Sequence, residues 1–446
     1  MIKKTPIALA VLTALGSVLI SVGAHATNGY SSNGFGTASK GVAGAGTAIG
    51  QDTLSSGTNP AGMGMIGDRM DVGLSFFIPT RGFTANSIWT GSPDGHPVLD
   101  QGPPVPYGTA SPIPPGDYTS KNDLFLIPHF GWNKVLDDKS TIGISTAGNG
   151  GMNTEYDTAV FRNYSDPRYP STWASSPTGI DLSQLWIGVP YTYKITPDHI
   201  LGIMPVLVIQ RLKAEGLEPF SAFSNNPDKV SNNGYDWSYG MGARLGWIGN
   251  INDMVSLGAS YQTHTWTSKF SEYKGLLAEG GDFDVPPTLQ LGVALRVIPD
   301  VTLLLDYQRI WYGDIPSLHN TNLMAMPIQL GTDDGVGFGW KDQDIFRIGA
   351  IWRFNPSLTL RTGYSHATPA FNGNQGLFNV LAPAVTKDHV SVGFSYNIDK
   401  NNEIGMSYMY ALKAKEFGQN QDLSGPQSGY LEMDQHDIEF NWGYRF

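Results

Sequence analysis

The chain contains no cysteine in its 446 residues. That excludes a disulfide framework, and with it any thiolate nucleophile or thiolate metal ligand. Charge is scarce: Asp, Glu, Lys and Arg make up 15% of the residues, against about 25% in an ordinary soluble domain. The basic residues are outnumbered 28 to 39, which disfavours a nucleic-acid partner and reads as solvated acidic loops. Past residue 22 no apolar run approaches the ~18 residues of a membrane-crossing helix. The nine histidines are scattered, with no His-x-x-x-His pair and no carboxylate–histidine cluster, so no metal site is expected. No Ser/His/Asp arrangement sits in a motif context, and no catalytic residue is nominated. Residues 41–46, GVAGAG, invite a phosphate-loop reading. No strand precedes them and no Lys-Ser/Thr pair follows, so that reading is set aside and no cofactor is expected.

What the chain has in abundance is glycine, 54 residues, and aromatic side chains, 11%. Glycine, aromatics and uncharged polar residues are the materials of a membrane barrel: apolar outside, small and polar inside, with aromatic girdles at the interfaces. The first residues read as a secretory leader. Lys3 and Lys4 precede an apolar stretch at 7–22, and Ala24-His25-Ala26 fits a small-x-small cleavage site. Residues 1–26 are assigned to the leader. Residues 27–67 form a segment rich in Gly, Ser and Thr that contains Asn59-Pro60-Ala61. This segment is too small and polar for a core of its own. The inside of a barrel built from residues 68–446 would hold it, as a plug.

The strands carry a period of two. In the last ten residues, DIEFNWGYRF, Ile438, Phe440, Trp442, Tyr444 and Phe446 share one face. Asp437, Glu439, Asn441, Gly443 and Arg445 share the other. Ten residues suffice to cross the membrane as a tilted strand. The apolar set is expected to face lipid and the polar set the lumen. The same alternation recurs around Trp237–Trp247, Leu289–Val297, Phe346–Phe354, Val390–Tyr396 and Ile404–Tyr410. The small residues on the inner faces leave room for a plug or a ligand. One strand departs from the pattern: Leu201 to Ile209 is apolar at nearly every position. One face could meet lipid and the other line an apolar cavity.

Short turns are read near Asp137-Asp138, Pro197-Asp198, Gly249-Asn250, Pro299-Asp300, Asn355-Pro356 and Asp399-Lys400. Long polar loops are read near 81–120, 151–181, 214–234, 270–286, 314–341, 369–386 and 416–432. Six turns and seven loops join fourteen strands. The fold expected is therefore an all-β, fourteen-stranded antiparallel transmembrane barrel with its plug in the lumen. Short turns belong to the periplasmic side and long loops to the outside.

With the plug-length segment carrying Asn59-Pro60-Ala61 and the fourteen-strand count, three further features complete a pattern. They are Asn149-Gly150-Gly151 followed by Thr154-Glu155-Tyr156, Gly339-Trp340-Lys341-Asp342, and the terminal Phe446. Together they resemble the FadL family of outer-membrane transporters, whose members carry long-chain fatty acids and related hydrophobic compounds. Relatives of the TodX type handle aromatic hydrocarbons. The resemblance implies a non-enzymatic, passive transporter in the outer membrane of a Gram-negative bacterium. Its implied ligand is a hydrophobic small molecule, long-chain fatty acids first and aromatic hydrocarbons or alkanes as the alternative. Its surroundings would be outer-membrane lipid and lipopolysaccharide, and a C-terminal aromatic resembles the signal read by the barrel assembly machinery. The implied route is capture at the outer loops, binding in the lumen, and lateral release at a kink in the third strand. A general porin for hydrophilic solutes is the competing reading, which the plug argues against. An adhesin or phage receptor built on the long loops is a third.

The candidate site residues follow. Asn59, Pro60 and Ala61 are read as a hatch element near the internal site; the bland reading is an Asn-Pro turn. Asn149, Gly150 and Gly151 are read as the lateral gate, because glycines within a strand mark bulges; the bland reading is a loop after strand three. Arg211 and Lys213, closing the apolar strand, are candidate cations for a ligand carboxylate; the bland reading is an interfacial strand end. Leu276 and Leu277 in one loop, with Met324, Met326 and Ile328 in another, are candidates for an outer capture groove.

Overall fold

The computed structural model describes residues 28–86, 113–161, 176–322, 329–420 and 427–446. Residues 1–27 and most of the first long loop lie outside them. Seventeen strand segments form one antiparallel sheet. Three of its strands are built from two pieces each, which leaves fourteen barrel strands. In chain order these are β1 (Arg69–Ala85), β2 (Gly116–Thr119 and Phe125–Val135), β3 (Ser140–Glu155), β4 (Gly179–Gly188 and Tyr191–Lys194) and β5 (His199–Glu215). Then come β6 (Asp236–Asn250), β7 (Val255–Gln262 and Trp266–Thr267), β8 (Thr288–Ile298), β9 (Val301–Ile310) and β10 (Gln343–Arg353). The last four are β11 (Leu358–Ala367), β12 (Asp388–Asn397), β13 (Asn402–Asn420) and β14 (Gln427–Arg445). Pairing of β1 with β14, from Arg69↔Arg445 to Ala85↔Gly429, closes the cylinder and removes the sheet edges.

The six short turns fall where the sequence places them. The loops after β1, β3 and β13 are narrower than read, because these strands continue past the membrane on the loop side, while those after β7, β9 and β11 are slightly wider. β13 and β14 are 19 residues each, well beyond the ~10 that crossing requires. Residues 148–151, given the loop as their bland reading, lie inside β3.

The alternation sets the two faces. Phe440, Trp442, Met241, Leu291, Phe346 and Val392 stand outside, exposed. Their inward neighbours Asp437, Glu439, Ser238, Arg347 and Ser391 are buried. A charge on the lipid side costs roughly 2–4 kcal/mol at mid-membrane, so this register is strongly specified. The expected polarity of the last strand holds.

Residues 28–67 lie against the inner wall. A short helix (Gly36–Lys40) and two 3-10 turns (Thr53–Gly57 and Pro60–Met65) are their only regular elements. Asp52 caps the first turn by accepting from the Leu54 and Ser55 amides. Asn59 caps the second, accepting from Ala61 N at 3.0 Å, with Pro60 in the first position of the turn. Inward glycines admit the segment: a Cβ on Gly246 would overlap Asn59, on Gly258 Thr47, and on Gly363 Val42. The apolar inner face of β5 is also explained. Met204, Val206 and Val208 pack with Phe35 and Leu54 of the segment and with Trp186 and Ala147 of the wall.

Polar anchors ring the rest of the segment. Lys40 Nζ lies 2.7 Å from both Asp437 and Glu439. Asp306 accepts from Gly46 N, Thr47 N and Thr47 Oγ1 at 2.9, 2.8 and 2.6 Å. Asp71 accepts from Thr53 N and Oγ1 at 3.0 and 2.8 Å. Arg361 donates to Gln51 at 2.9 Å, and Arg347 to Asn33 at 3.0 Å. The segment is therefore held inside the barrel as a bonded body.

Candidate functional site

The wall is not bonded all the way round. β2 and β3 pair only from Val135↔Thr141 to Phe130↔Thr146. Above that level β2 pairs with β1, and β3 with β4. The strands meet again at Lys121 N, which donates to Glu155 O at 2.9 Å. Between these points β3 carries a bulge at Asn149, where the register with β4 shifts between Gly148 and Gly150. An extra residue bends a strand and interrupts its ladder. Pro128 lies in β2 just above the last β2–β3 pair and brings no N–H to offer a neighbour.

The freed edge of β3 is occupied from inside. Ser32 N donates to Asn149 O and Gly151 N to Tyr30 O, both at 3.0 Å, around a Ser31↔Gly150 bridge. Exposed strand groups need partners in a membrane wall, and here residues 30–32 supply them. Gly150 is required by this approach, since a Cβ there would overlap the Tyr30 carbonyl. Asn149 Nδ2 donates to Gln184, which donates to Gln210, which donates to the Phe283 carbonyl, at 3.0, 2.7 and 2.8 Å. This amide relay links the bulge to the loop after β7. Beside it lies a small polar pocket of about 30 Å³ between the segment and the wall, touching Ser31, Asn149, Arg244 and Arg347.

Above the bulge the lumen is greasy. Tyr30 is fully buried, its ring 5.6 Å from Tyr312, 5.9 Å from Phe283 and 6.1 Å from Trp340. Trp340 donates from Nε1 to Asn379 Oδ1 at 2.7 Å, and Tyr312 donates to the Asn28 carbonyl at 2.5 Å. The box is the inner end of a continuous apolar core formed by the outer loops. Tyr156 donates to Val380 O at 2.5 Å and Thr154 to Leu381 O at 2.8 Å, tying the end of β3 to the loop after β11. At the outer surface an apolar groove of about 60 Å³ runs between that loop and the ends of β1, β13 and β14, lined by Phe83, Leu377, Val380 and Leu431. A shallow apolar hollow of about 680 Å³ is bordered by Trp247, Leu291, Phe346 and Ile348, all on the lipid side.

The structure corrects several site readings. Arg211 and Lys213 share the outward face of β5 with Leu207 and Ile209. Arg211 meets Asp181 at 3.5 Å and lies over the Tyr235 ring, and Lys213 meets Glu215 at 2.9 Å. They are interfacial ion pairs at a strand end, not lumenal cations. The period of two that was hidden by apolar residues on both faces decides the matter. Leu276 and Leu277 are buried in the loop core and do not line an open groove. Met324, Met326 and Ile328 lie outside the described residues. Asn59-Pro60-Ala61 sits at the short-turn end, where Asn59 donates to Thr47 O and Trp247 O and Ala61 packs on Ile200 and Ile248. That end is opposite the aromatic box. Sequence reasoning missed Tyr30 and Pro128. Pro128, inside a strand pattern, was the available signal.

Comparison places this arrangement. Residues 13–438 match the model of the family described as outer membrane protein transport protein (OMPP1/FadL/TodX). The Pseudomonas putida toluene transporter TodX superposes with a TM-score of 0.66 at 17% identity, over 93% of this chain and 99% of that one. A Pseudomonas aeruginosa FadL homologue gives 0.65 at 14%, over 94% and 100%. The Ralstonia pickettii toluene transporter TbuX gives 0.59 at 17%, over 93% and 99%. At these identities the likeness is one of fold. No curated relative matches the chain by sequence.

Proposed function

The chain belongs to the OMPP1/FadL/TodX family of outer-membrane barrels that transport hydrophobic compounds, and from that membership we propose that it releases its ligand sideways, between β2 and β3. The observation that carries this reading is the unpaired stretch of wall whose free edge is held only by residues 30–32. A hydrophobic molecule gains on the order of 25 cal/mol per Å² by staying out of water. A side exit into hydrocarbon keeps that gain, whereas a vertical pore to the periplasm forfeits it. In this reading residues 27–67 are a hatch, the outer groove captures, and the aromatic box receives. A ligand that takes the place of the Tyr30 ring pulls Tyr30 and Ser32 off β3 and uncovers the gap. No bond is made or broken in the ligand, and no energy source is needed.

Long-chain fatty acids are proposed as the first substrate class. Monoaromatic hydrocarbons are the second reading, favoured by the box of Phe283, Tyr312 and Trp340 that already accepts an aromatic ring. TodX and TbuX are toluene transporters.

A disulfide tests the hatch. Ser56 Oγ and Ser145 Oγ, one on the hatch and one on β3, are 2.5 Å apart and buried. With no native cysteine, a Ser56→Cys/Ser145→Cys variant can form one bond only, at a spacing disulfides accept. Oxidised protein in liposomes should lose uptake of radiolabelled oleate and toluene, and reductant should restore it. Undiminished uptake by the locked form would remove hatch movement from the mechanism.

A further inference from the structure

Arg81 faces inward from β1 and is 2% exposed. One Nη donates to the Asn122 carbonyl, and the guanidinium lies over the Phe125 ring, 5.4 Å from its centroid. Its Nε is buried with no hydrogen-bond partner. Among the described residues no carboxylate comes within ion-pair distance of it. Other inward arginines have their guanidinium groups engaged: Arg69 by Asp71 and Glu403, Arg244 by Ser56 and Gln262, Arg361 by Gln51 and Ser395, Arg347 by Asn33 and Gln308. A buried cation held by one carbonyl and a ring face is an unfavourable arrangement unless an anion joins it.

Its position says which anion. Arg81 borders a chamber of about 10 Å³ whose other walls include Tyr30, Met152, Trp340 and Met433. That volume holds at most one water, because the Tyr30 ring fills the adjoining box. Asn122, the residue Arg81 bonds, donates to Asn153 of β3 at 3.0 Å, at the upper rim of the β2–β3 gap. The guanidinium therefore stands between the apolar box and the side opening. A ligand with a long apolar chain and a single carboxylate matches both features, chain in the box and head on the arginine.

We propose that Arg81 anchors the carboxylate of a long-chain acid at the inner mouth of the β2–β3 opening, the space being vacated by Tyr30. The proposal rests on the lateral-transport reading and narrows its substrate class. The test is equilibrium binding of radiolabelled dodecanoate and dodecanol to the full-length protein in micelles of an uncharged detergent. Wild type, Arg81→Gln and Arg81→Lys are compared, with heat-modifiable gel migration confirming that each barrel is folded. Wild type should hold dodecanoate more tightly than dodecanol. R81Q should lose roughly 10- to 100-fold in dodecanoate affinity, the size of one charge-assisted hydrogen bond, and stay within about twofold for dodecanol. R81K should recover part of the loss. Equal weakening of both ligands, or of neither, overturns the assignment. If wild type binds dodecanol and toluene with no advantage for the carboxylate, transport stands and Arg81 falls. If it binds none of the three, the transport reading fails as well.

Discussion

Removing the Lys40 ammonium should unseat the hatch and let ions through. In Lys40→Met, Asp437 and Glu439 lose their lysine; Ser75 still donates to Asp437 at 2.5 Å, Thr37 to Glu439 at 3.1 Å, and His129 Nδ1 lies 3.5 Å from Glu439. All three members of the cluster are nearly sealed, at 4% side-chain exposure for Lys40 and 3% and 2% for the carboxylates. Breaking a buried pair by deleting one partner costs about 3–5 kcal/mol. At 1.36 kcal/mol per decade, that moves the seated-to-unseated equilibrium by roughly 10²- to 10³-fold or more. Conductance in planar bilayers is the assay. Wild type should be nearly closed, and K40M should show frequent openings. Because the cost comes from stranded charge and not from lost volume, the triple variant Lys40→Met/Asp437→Asn/Glu439→Gln should close again. A K40M channel as tight as wild type would show that the ion pairs do not hold the hatch. A triple variant as leaky as K40M would show that packing, not charge, is what the lysine supplies.

Two further outcomes are expected. Phe35, 9% exposed and edge-on to Trp186 at 5.5 Å, anchors the hatch on the β3–β5 side. Phe35→Ala should weaken that anchor by about 3 kcal/mol and speed uptake of hydrophobic probes into liposomes with little added ion conductance; slower uptake would contradict it. In the loop after β7, burial first, then Asp284 and Glu279, push the Asp282 carboxyl from 3.8 up to about 6. The packed loop then holds a proton that the open loop releases, so its packing is firmest below about pH 4 and weakens as pH rises through 6. Hydrogen-exchange protection across 268–287, corrected for the intrinsic pH dependence of exchange, should be greater at pH 5 than at pH 7.5, and Asp282→Asn should flatten the difference. Equal protection factors at both pH values in wild type would refute this.

Most of the barrel was legible because its physics is local. A strand between lipid and a polar lumen must alternate, so DIEFNWGYRF fixes its own register, and the turn and loop spacing fixes the strand count. The lumenal segment was legible by exclusion, since residues 27–67 could not make a core. The site was less so. β5 hides its period behind apolar residues on both faces, because its inner wall meets Phe35 and Leu54. Residue type alone makes Arg211 a lumenal candidate, when only register settles that it points outward. Arg81 gave no signal at all. Its significance lies in a buried Nε with no hydrogen-bond partner, a property of three-dimensional surroundings. Gly150 was legible as a bulge, but its close neighbour, the Tyr30 carbonyl 120 residues earlier, was not.

The lumenal segment is held unequally around its circumference, and under the proposed side exit that inequality would give the route its direction. Toward β9–β14 and β1 it is fixed by buried charge: Asp306, Arg347, Arg361, the Lys40 cluster and Asp71. Toward β3–β5 it rests mainly on apolar packing, Phe35 and Leu54 against Trp186, Met204, Val206 and Val208 and Ala61 on Ile200, with the Arg244 guanidinium over Phe35 and Trp186, one serine pair and the two backbone bonds of residues 30–32. A hydrophobic ligand has nothing to offer a buried ion pair, so it competes poorly for the first side. It can replace an aromatic ring in an apolar box at little cost, because one apolar surface is exchanged for another with the same dispersion and stacking forces. The side it can loosen is the side where β2 and β3 are unpaired. Under the proposed side exit, a hatch tethered by charge to β9–β14 and β1 and by apolar contacts to β3–β5 would yield first on the β3 side of the gap. That order matches the separate readouts expected of F35A and K40M: the first raises hydrophobic flux, the second breaks the ion seal.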